Sequence, residues 1–178
     1  QRLNYVQGRV CWNAWRQNSS DVAVATTLTD IPNGYYTVSA EMITQADYLS
    51  NEHLYASSNL QDAVSPALSA GNWNDDNTGE WEYLTTEKVI VNDGKLTIGA
   101  LGSAVDGSTN QMGWFCVTNF RLMYYGEATA EEIAAAEKAR FASAKDQVNG
   151  IHLAGDKAAL LDSIAEAEAA KDLEMVNR

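Results

Sequence analysis

Apolar and polar residues alternate with period two along much of the first 126 residues, which is the pattern of β-strands with one buried face. The clearest case is 35–43, where Tyr36, Val38, Ala40 and Met42 are separated by mostly polar residues. The segment 110–125 is richer in aromatic and β-branched residues and is apolar on both faces. That composition predicts a central strand of a packed antiparallel sheet. Further strands are predicted at 9–16, 22–28, 53–57, 81–91 and 95–101.

Turn residues separate the predicted strands. Asp30–Gly34 combines Pro with Asn-Gly, which predicts a tight turn and a hairpin between the strands at 22–28 and 35–43. Asn92-Asp93-Gly94 is a second turn signal, and three long polar loops lie elsewhere in the first 126 residues. About eight strands with such connections predict an antiparallel β-sandwich of the jelly-roll type. Strict alternation along 110–125 places Phe120 and Leu122 in its interior.

The composition changes after Gly126, since all 5 Trp and all 8 Tyr precede it and Ala and Glu dominate the residues after it. Thr129-x-x-Glu132 has the form of a capping box and opens a predicted helix that runs to Val148. A second helix is predicted at 157–175. The chain is therefore predicted to contain a β-sandwich domain, residues 1–126, and an α-helical hairpin or spacer, residues 127–178.

Acidic residues outnumber basic ones in both predicted parts. Residues 1–127 hold 14 acidic and 6 basic residues, residues 128–178 hold 10 and 6, and the net charge is −12. An acidic chain with no Lys/Arg cluster repels phosphate backbones, which argues against nucleic-acid binding. No apolar run is long enough to span a membrane. The chain begins in polar, strand-like sequence, so it is interpreted as a mature or excised piece. We expect it to act as a monomeric module.

Two cysteines, Cys11 and Cys116, lie in the predicted first and last strands. A disulfide between them would close a long loop and constrain the unfolded chain. The alternative is a pair of buried thiols, which behave as small apolar side chains. Both alternatives are open at this point.

Four phrases occur in one fixed order: TLTDIPNGYYTVSA, HLYASSN, VNDGKLTIGA and WFCVTNFRLMYYG. Together they resemble the galactose-binding-like β-sandwich domains attached to secreted and surface polysaccharide-processing proteins of Bacteroidetes. The resemblance covers roughly residues 9–126. It implies a noncatalytic, carbohydrate-binding module of a longer extracellular protein, secreted or on the cell surface.

Aromatic residues in polar loops are the candidate ligand-binding residues. Sugar rings have apolar faces on which an exposed aromatic ring can stack, while neighbouring amide and carboxylate groups hydrogen-bond the hydroxyls. Trp73 lies in a loop rich in Asn, Asp and Gly and is predicted to be exposed, whereas Trp12, Trp81 and Trp114 are predicted to be core residues. The predicted ligand-binding residues are Trp73, Trp15, Tyr48, Tyr55, Asn72, Asn74, Asp75 and Asp76.

Metal and catalytic signals are weak. The two histidines lie in different predicted domains, which argues against zinc. Asp75, Asp76 and Glu80 offer oxygen ligands for a structural Ca²⁺, although without the alternating acids of a calcium loop. No other cofactor is predicted, and no nucleophile has a neighbouring base, so the chain is not expected to be an enzyme.

The sequence supports two hypotheses of function. The first is a carbohydrate-binding module that holds a larger protein on a polysaccharide or oligosaccharide. The net charge favours a neutral glycan, such as a plant polysaccharide, over an anionic one. The alternative is a structural or protein-interaction spacer domain that binds no glycan.

Overall fold

Ten β-strands and three α-helices make up the part of the chain that the computed structural model describes, which is residues 2–16, 22–44, 51–69, 79–102, 113–150 and 157–177. The strands form two antiparallel sheets, which confirms the predicted jelly-roll sandwich followed by a C-terminal helical hairpin. In chain order the elements are β1 Arg2–Val6, β2 Arg9–Arg16, β3 Val22–Leu28, β4 Gly34–Ile43, β5 His53–Ser57, β6 Asp62–Val64, β7 Glu82–Thr85, β8 Val89–Val91, β9 Leu96–Gly102, β10 Gly113–Tyr124, α1 Ala130–Gly150, α2 Lys157–Ala170 and α3 Leu173–Val176.

Sheet A has the strand order β1-β2-β10-β4-β7, and β8 also pairs with β4. Sheet B has the order β3-β9-β5-β6. The core lies between the inner faces of the two sheets, where the alternating residues of β4 meet the inward residues of β5 and β9. The alternation predicted for β4 is confirmed, since its inward residues Tyr36, Val38, Ala40 and Met42 are all buried.

The turn Asp30–Gly34 does not form the predicted hairpin. It carries the chain from sheet B to sheet A, because β3 pairs along its whole length with β9 and β4 pairs with β10, β7 and β8. Gly34 nevertheless has the positive φ that the turn residues predict. Its φ is +142°, and a Cβ there would overlap the carbonyl oxygen of Gly126. Local turn chemistry was therefore predicted correctly, and the strand partners, which come from later in the chain, were not.

A β-bulge interrupts β10. Thr118 is opposite Glu41 of β4, but three residues later Arg121 is opposite Ser39, so one extra residue is inserted. Asn119 takes up the irregularity with φ +55°. Because of this insertion, the inward face of β10 passes from odd-numbered to even-numbered residues within the strand.

The bulge and the sheet edge decide where Phe120 and Leu122 lie. Phe120 packs against both core clusters, as predicted. Leu122 faces the same side as Val38 but is 36% exposed, so its predicted burial was wrong. The reason is that β10 pairs with β2 only as far as Val117, and among the described strands it forms the edge of the sheet beyond that residue.

Several element bounds differ from the prediction. The strands β1 and β6 were not predicted, and the predicted strand at 81–91 is divided into β7 and β8. The predicted second helix is divided into α2 and α3, since Lys171 has φ +55° and the Asp172 carboxylate accepts from the backbone N–H groups of Glu174 and Met175. The capping box at the start of α1 is confirmed by reciprocal bonds of 2.8 and 3.2 Å between Thr129 and Glu132.

The helices pack against the sandwich through a cluster of their own. Phe141 of α1 is buried with Leu60 and Ile90 of the sandwich and with Ile164 of α2. No helix in the described ranges is long and apolar enough to cross a membrane.

Both cysteines are buried thiols on the outer face of sheet A and are not joined by a disulfide. The Asn13 amide donates to the Cys116 sulfur at 3.5 Å, and burial raises the pKa of Cys11. Of the two alternatives that the sequence leaves open, the structure has the pair of thiols.

Candidate functional site

The structure describes only two of the eight residues predicted to bind a ligand. Trp15 lies in β2 opposite Trp114 of β10, and nothing is described of its side chain. Tyr55 lies in β5. The predictions for the other six residues remain predictions, because Trp73, Tyr48, Asn72, Asn74, Asp75 and Asp76 lie outside the described residues.

Tyr55 lies on the outer face of sheet B, opposite Gly99 of β9. A Cβ at Gly99 would come within 2.7 Å of Tyr55 Cε1, so the aromatic ring lies directly over that glycine. Desolvation of the ring raises the pKa of its hydroxyl. Tyr55 and Trp15 belong to different sheets and are not brought together.

The strand ends next to the undescribed segments lie at one end of the sandwich. Glu52, which is completely buried, lies at this end, since a Cβ on Gly102 would lie 3.2 Å from its Cγ. The contacts that define this end are Arg16 opposite Gly113, Val22 opposite Gly102, and the Leu68 N–H donating to the Glu52 carbonyl at 2.7 Å.

An apolar cleft of about 300 Å³ opens along the side of the sandwich, between β2 and β10 of sheet A and the edge strand β3 of sheet B. We call it the Trp12 cleft. Trp12 and Phe120 form its aromatic side, and Thr26 supplies a hydroxyl. The lining residues are Trp12, Val24, Ala25, Thr26, Ile98 and Phe120.

Trp12 was predicted to be a core residue, and the structure corrects this. It lies on the inner face of sheet A, opposite Val117, which is fully buried, yet Trp12 itself is 44% exposed. Among the described residues sheet B ends at β3, so Trp12 lies at the margin between the two sheets. A large aromatic ring at this margin is available to a ligand.

The bulge in β10 orients Phe120 toward the cleft and is held from the outer face of sheet A. The Asn119 amide donates to the Glu41 carboxylate. The Arg9 guanidinium lies 3.0 Å from the same carboxylate and forms an ion pair with it that lacks hydrogen-bond geometry. The guanidinium carbon also lies 5.1 Å from the centroid of the Trp81 ring. Bulges re-aim side chains in this way, and here the result is a fixed aromatic wall.

An exposed apolar strip continues from the cleft onto β1. Leu3 is opposite Trp12, and Tyr5 is opposite Val10, so all four share one face of the sheet. Leu3, Tyr5 and Val10 are 61%, 69% and 62% exposed. Their alternation is present in the sequence, but without a predicted β1 it could not be connected to Trp12.

Trp81 and Trp114, also predicted to be core residues, are partly buried in a cluster on the outer face of sheet A and do not lie between the sheets. The Trp81 indole N–H donates to the Gln7 side chain at 3.1 Å. Neither residue reaches the Trp12 cleft.

No group of three or more His, Cys, Asp or Glu side chains that could hold a metal ion occurs among the described residues. Two of the three acids predicted to offer calcium ligands, Asp75 and Asp76, lie outside that part of the chain. Calcium binding there stays a prediction.

No protein-family model matches the chain, and no curated protein is significantly similar to it. Among solved structures, the EclA C-terminal domain, a sugar-binding protein, is 16% identical over 67% of this chain and 83% of its own, with a TM-score of 0.44. The CBM35 from Cellvibrio japonicus Abf62 is 13% identical over 71% of this chain and 91% of its own, with a TM-score of 0.39. Neither likeness assigns a ligand to this chain, so its function is argued from the geometry of the cleft.

Proposed function

We propose that this chain is a noncatalytic carbohydrate-binding module that targets a larger secreted or surface protein to a polysaccharide. In this proposal a sugar ring enters the Trp12 cleft and stacks on the indole. The observation that supports it most directly is the position of Trp12, which is 44% exposed beside a cleft of about 300 Å³.

The shape and chemistry of the cleft suit one face of a sugar ring. Its walls are apolar, as the C–H face of a pyranose requires, and its volume is at the lower end of the range of ligand pockets. The Thr26 hydroxyl and the indole N–H of Trp12 are polar groups of the kind that orient a ligand in an apolar pocket. Because the chain carries a net charge of −12, a neutral glycan is favoured over an anionic one.

The exposed strip beside the cleft suits a ligand longer than one sugar. Leu3, Tyr5 and Val10 extend the apolar surface of Trp12 across two paired strands. A polysaccharide chain that leaves the cleft can lie along this strip, with the Tyr5 ring as a second stacking surface.

The same strip supports the alternative function, a structural or protein-interaction domain. Three apolar side chains that are each more than half exposed are typical of a surface that a protein partner covers. The two functions differ in whether free polysaccharide binds.

Native gel electrophoresis in the presence of neutral plant and host polysaccharides tests the proposal. At least one neutral polysaccharide should retard the wild-type chain, and Trp12→Ala should remove most of the retardation. A stacking aromatic at the centre of a binding site contributes on the order of 2 kcal/mol or more, which is about 30-fold in affinity.

Tyr83→Ala is the matched control. Tyr83 is 54% exposed on β7 and lies opposite Glu41 on the outer face of sheet A. The substitution therefore removes an exposed aromatic ring that is remote from the cleft. Its retardation should equal that of the wild type. Retardation of Trp12→Ala equal to that of Tyr83→Ala would exclude the cleft, and no retardation of the wild type by any polysaccharide would favour the interaction domain.

A further inference from the structure

A groove of about 410 Å³ separates the outer face of sheet B from the C-terminal helices, and every described residue that lines it is polar or charged. Sheet B contributes Thr27, Ser57 and Thr97 to the lining. Lys95 immediately precedes β9, and Arg140 lies in α1. We propose that this polar groove is a second saccharide site, separate from the Trp12 cleft, which takes a short neutral sugar by hydrogen bonds alone.

The polar groups of the groove are held in place before any ligand arrives. The hydroxyls of Thr27 and Thr97 lie 2.9 Å apart across β3 and β9. Arg140 donates to the Asp62 carboxylate at 2.8 Å and to the Asn177 side-chain oxygen at 2.7 Å. Fixed donors and acceptors lose little conformational freedom on binding, which favours affinity for a small ligand.

The charges in the groove balance. The two basic lining residues, Lys95 and Arg140, are matched in number by the acidic lining residues Asp93 and Glu174, and Arg140 is also paired with the Asp62 carboxylate. A phosphate or a uronate would meet as many negative groups as positive ones, whereas a neutral polyhydroxyl ligand can donate to the carboxylates and accept from the cations.

Two groups in the groove have hydrogen-bonding capacity that the described residues do not use. The side-chain oxygen of Asn59 is buried and has no hydrogen-bond partner there. Buried acceptors are usually satisfied, and because Asn59 lines the groove, a rotation of its side chain would present this oxygen to a ligand hydroxyl. The Lys95 ammonium group, with three donors, has no partner among the described residues either, and it can bond the same ligand.

The groove and the Trp12 cleft lie on opposite faces of sheet B. Thr97 points outward into the groove, while its neighbour Ile98 points inward and lines the cleft. Strand alternation therefore separates the two sites by the thickness of the sheet, and each can be filled without the other. Two sites on one module would raise its avidity for a polysaccharide.

A titration of the ¹⁵N-labelled full chain with methyl β-glucopyranoside and methyl β-galactopyranoside, followed by amide chemical shifts, tests this site. A ligand in the groove should shift the amides of Thr27, Ser57 and Thr97. Thr97→Val keeps the side-chain shape and removes one hydroxyl, so it should weaken this response about three- to tenfold. Thr85→Val is the matched control, because it removes the hydroxyl that pairs with Ser39 at 2.9 Å on sheet A, and it should bind like the wild type.

The outcomes separate this proposal from the proposed function. Shifts confined to Val24 and Phe120 would overturn the groove site and support the cleft alone. Shifts in the groove that survive Trp12→Ala would support a second, independent site. Thr97→Val with wild-type affinity, or a stronger response to glucuronate than to the neutral glycosides, would refute the groove as a neutral saccharide site.

Discussion

Replacement of Leu122 by alanine measures how far the sandwich is open on the side of the Trp12 cleft. A fully buried leucine contributes roughly 1.5–3 kcal/mol by removal of its surface from water. Leu122 keeps 36% of its surface exposed, so about two-thirds of that value applies. It lies on the edge segment of β10, where water can fill the space that the alanine leaves, so no cavity penalty is added. We expect Leu122→Ala to lower the free energy of unfolding by about 1–2 kcal/mol.

Leu54→Ala is the matched substitution in the closed part of the core. Leu54 lies on β5, is 0% exposed and belongs to the inter-sheet cluster. Its replacement loses the same atoms and leaves a cavity, so we expect a cost of about 3–5 kcal/mol. Urea unfolding followed by tryptophan fluorescence gives both values from the same reporter groups.

The difference between the two variants is the test. Equal losses of about 3 kcal/mol or more would mean that β10 is covered beyond its bulge, and the open side would not exist. A loss under about 0.5 kcal/mol for Leu122→Ala, which is the range of surface sites, would mean that the side chain does not share a face with Val38.

Three further predictions address other parts of the chain. Trp73→Ala should weaken polysaccharide retardation with a nearly unchanged melting temperature if that loop binds the glycan, and unchanged retardation would remove Trp73 from the site. Gly34→Ala should cost at least about 2 kcal/mol in urea unfolding, because its Cβ would overlap Gly126 at φ +142°, and a wild-type midpoint would contradict this. Hydrogen bonds from the backbone and side chain of Thr129 lower the pKa of Glu132 in the folded state. The Glu132 carboxylate therefore stabilises the fold above the ordinary glutamate pKa of about 4.3. This stabilisation is lost as the pH falls through the lowered pKa of the folded state. The difference in melting temperature between the wild type and Glu132→Gln should therefore shrink toward zero in acid, and a difference that grows there would refute a stabilising contribution from the Glu132 charge.

The sequence predicted the strands whose burial follows a simple rule. The residues 35–43 have one apolar face and one mostly polar face, and β4 has that arrangement in the structure. The capping box at Thr129 was predictable for a similar reason, because both partners lie within four residues. Where the determining contacts are local, the pattern is sufficient.

The remaining features depend on contacts between distant residues. The partner of β3 is β9, about 70 residues away, so the Asn-Gly turn could not reveal that the chain changes sheets. The extra residue at Asn119 reverses the inward face of β10. Asn tolerates positive φ, but a single Asn in a strand does not by itself predict an insertion. The Trp12 cleft has two aromatic residues. The sequence predicted the interior position of Phe120 correctly, but it predicted Trp12 to be a core residue, and Trp12 is exposed.

The exposure of Trp12 is a consequence of how the two sheets differ in width. In the described part of the chain sheet A has five strands in its main path and sheet B has four. Strand β2 contacts β3 at the margin of sheet B, and β1 extends sheet A beyond it. Apolar side chains on this overhang cannot be covered by sheet B, whatever their size. Their exposure costs stability, because burial of such surface is worth roughly 25 cal/mol per Å². A surface of this kind is typical of one that a ligand or a partner covers, and because an aromatic cleft lies beside it, we propose a sugar chain as that ligand.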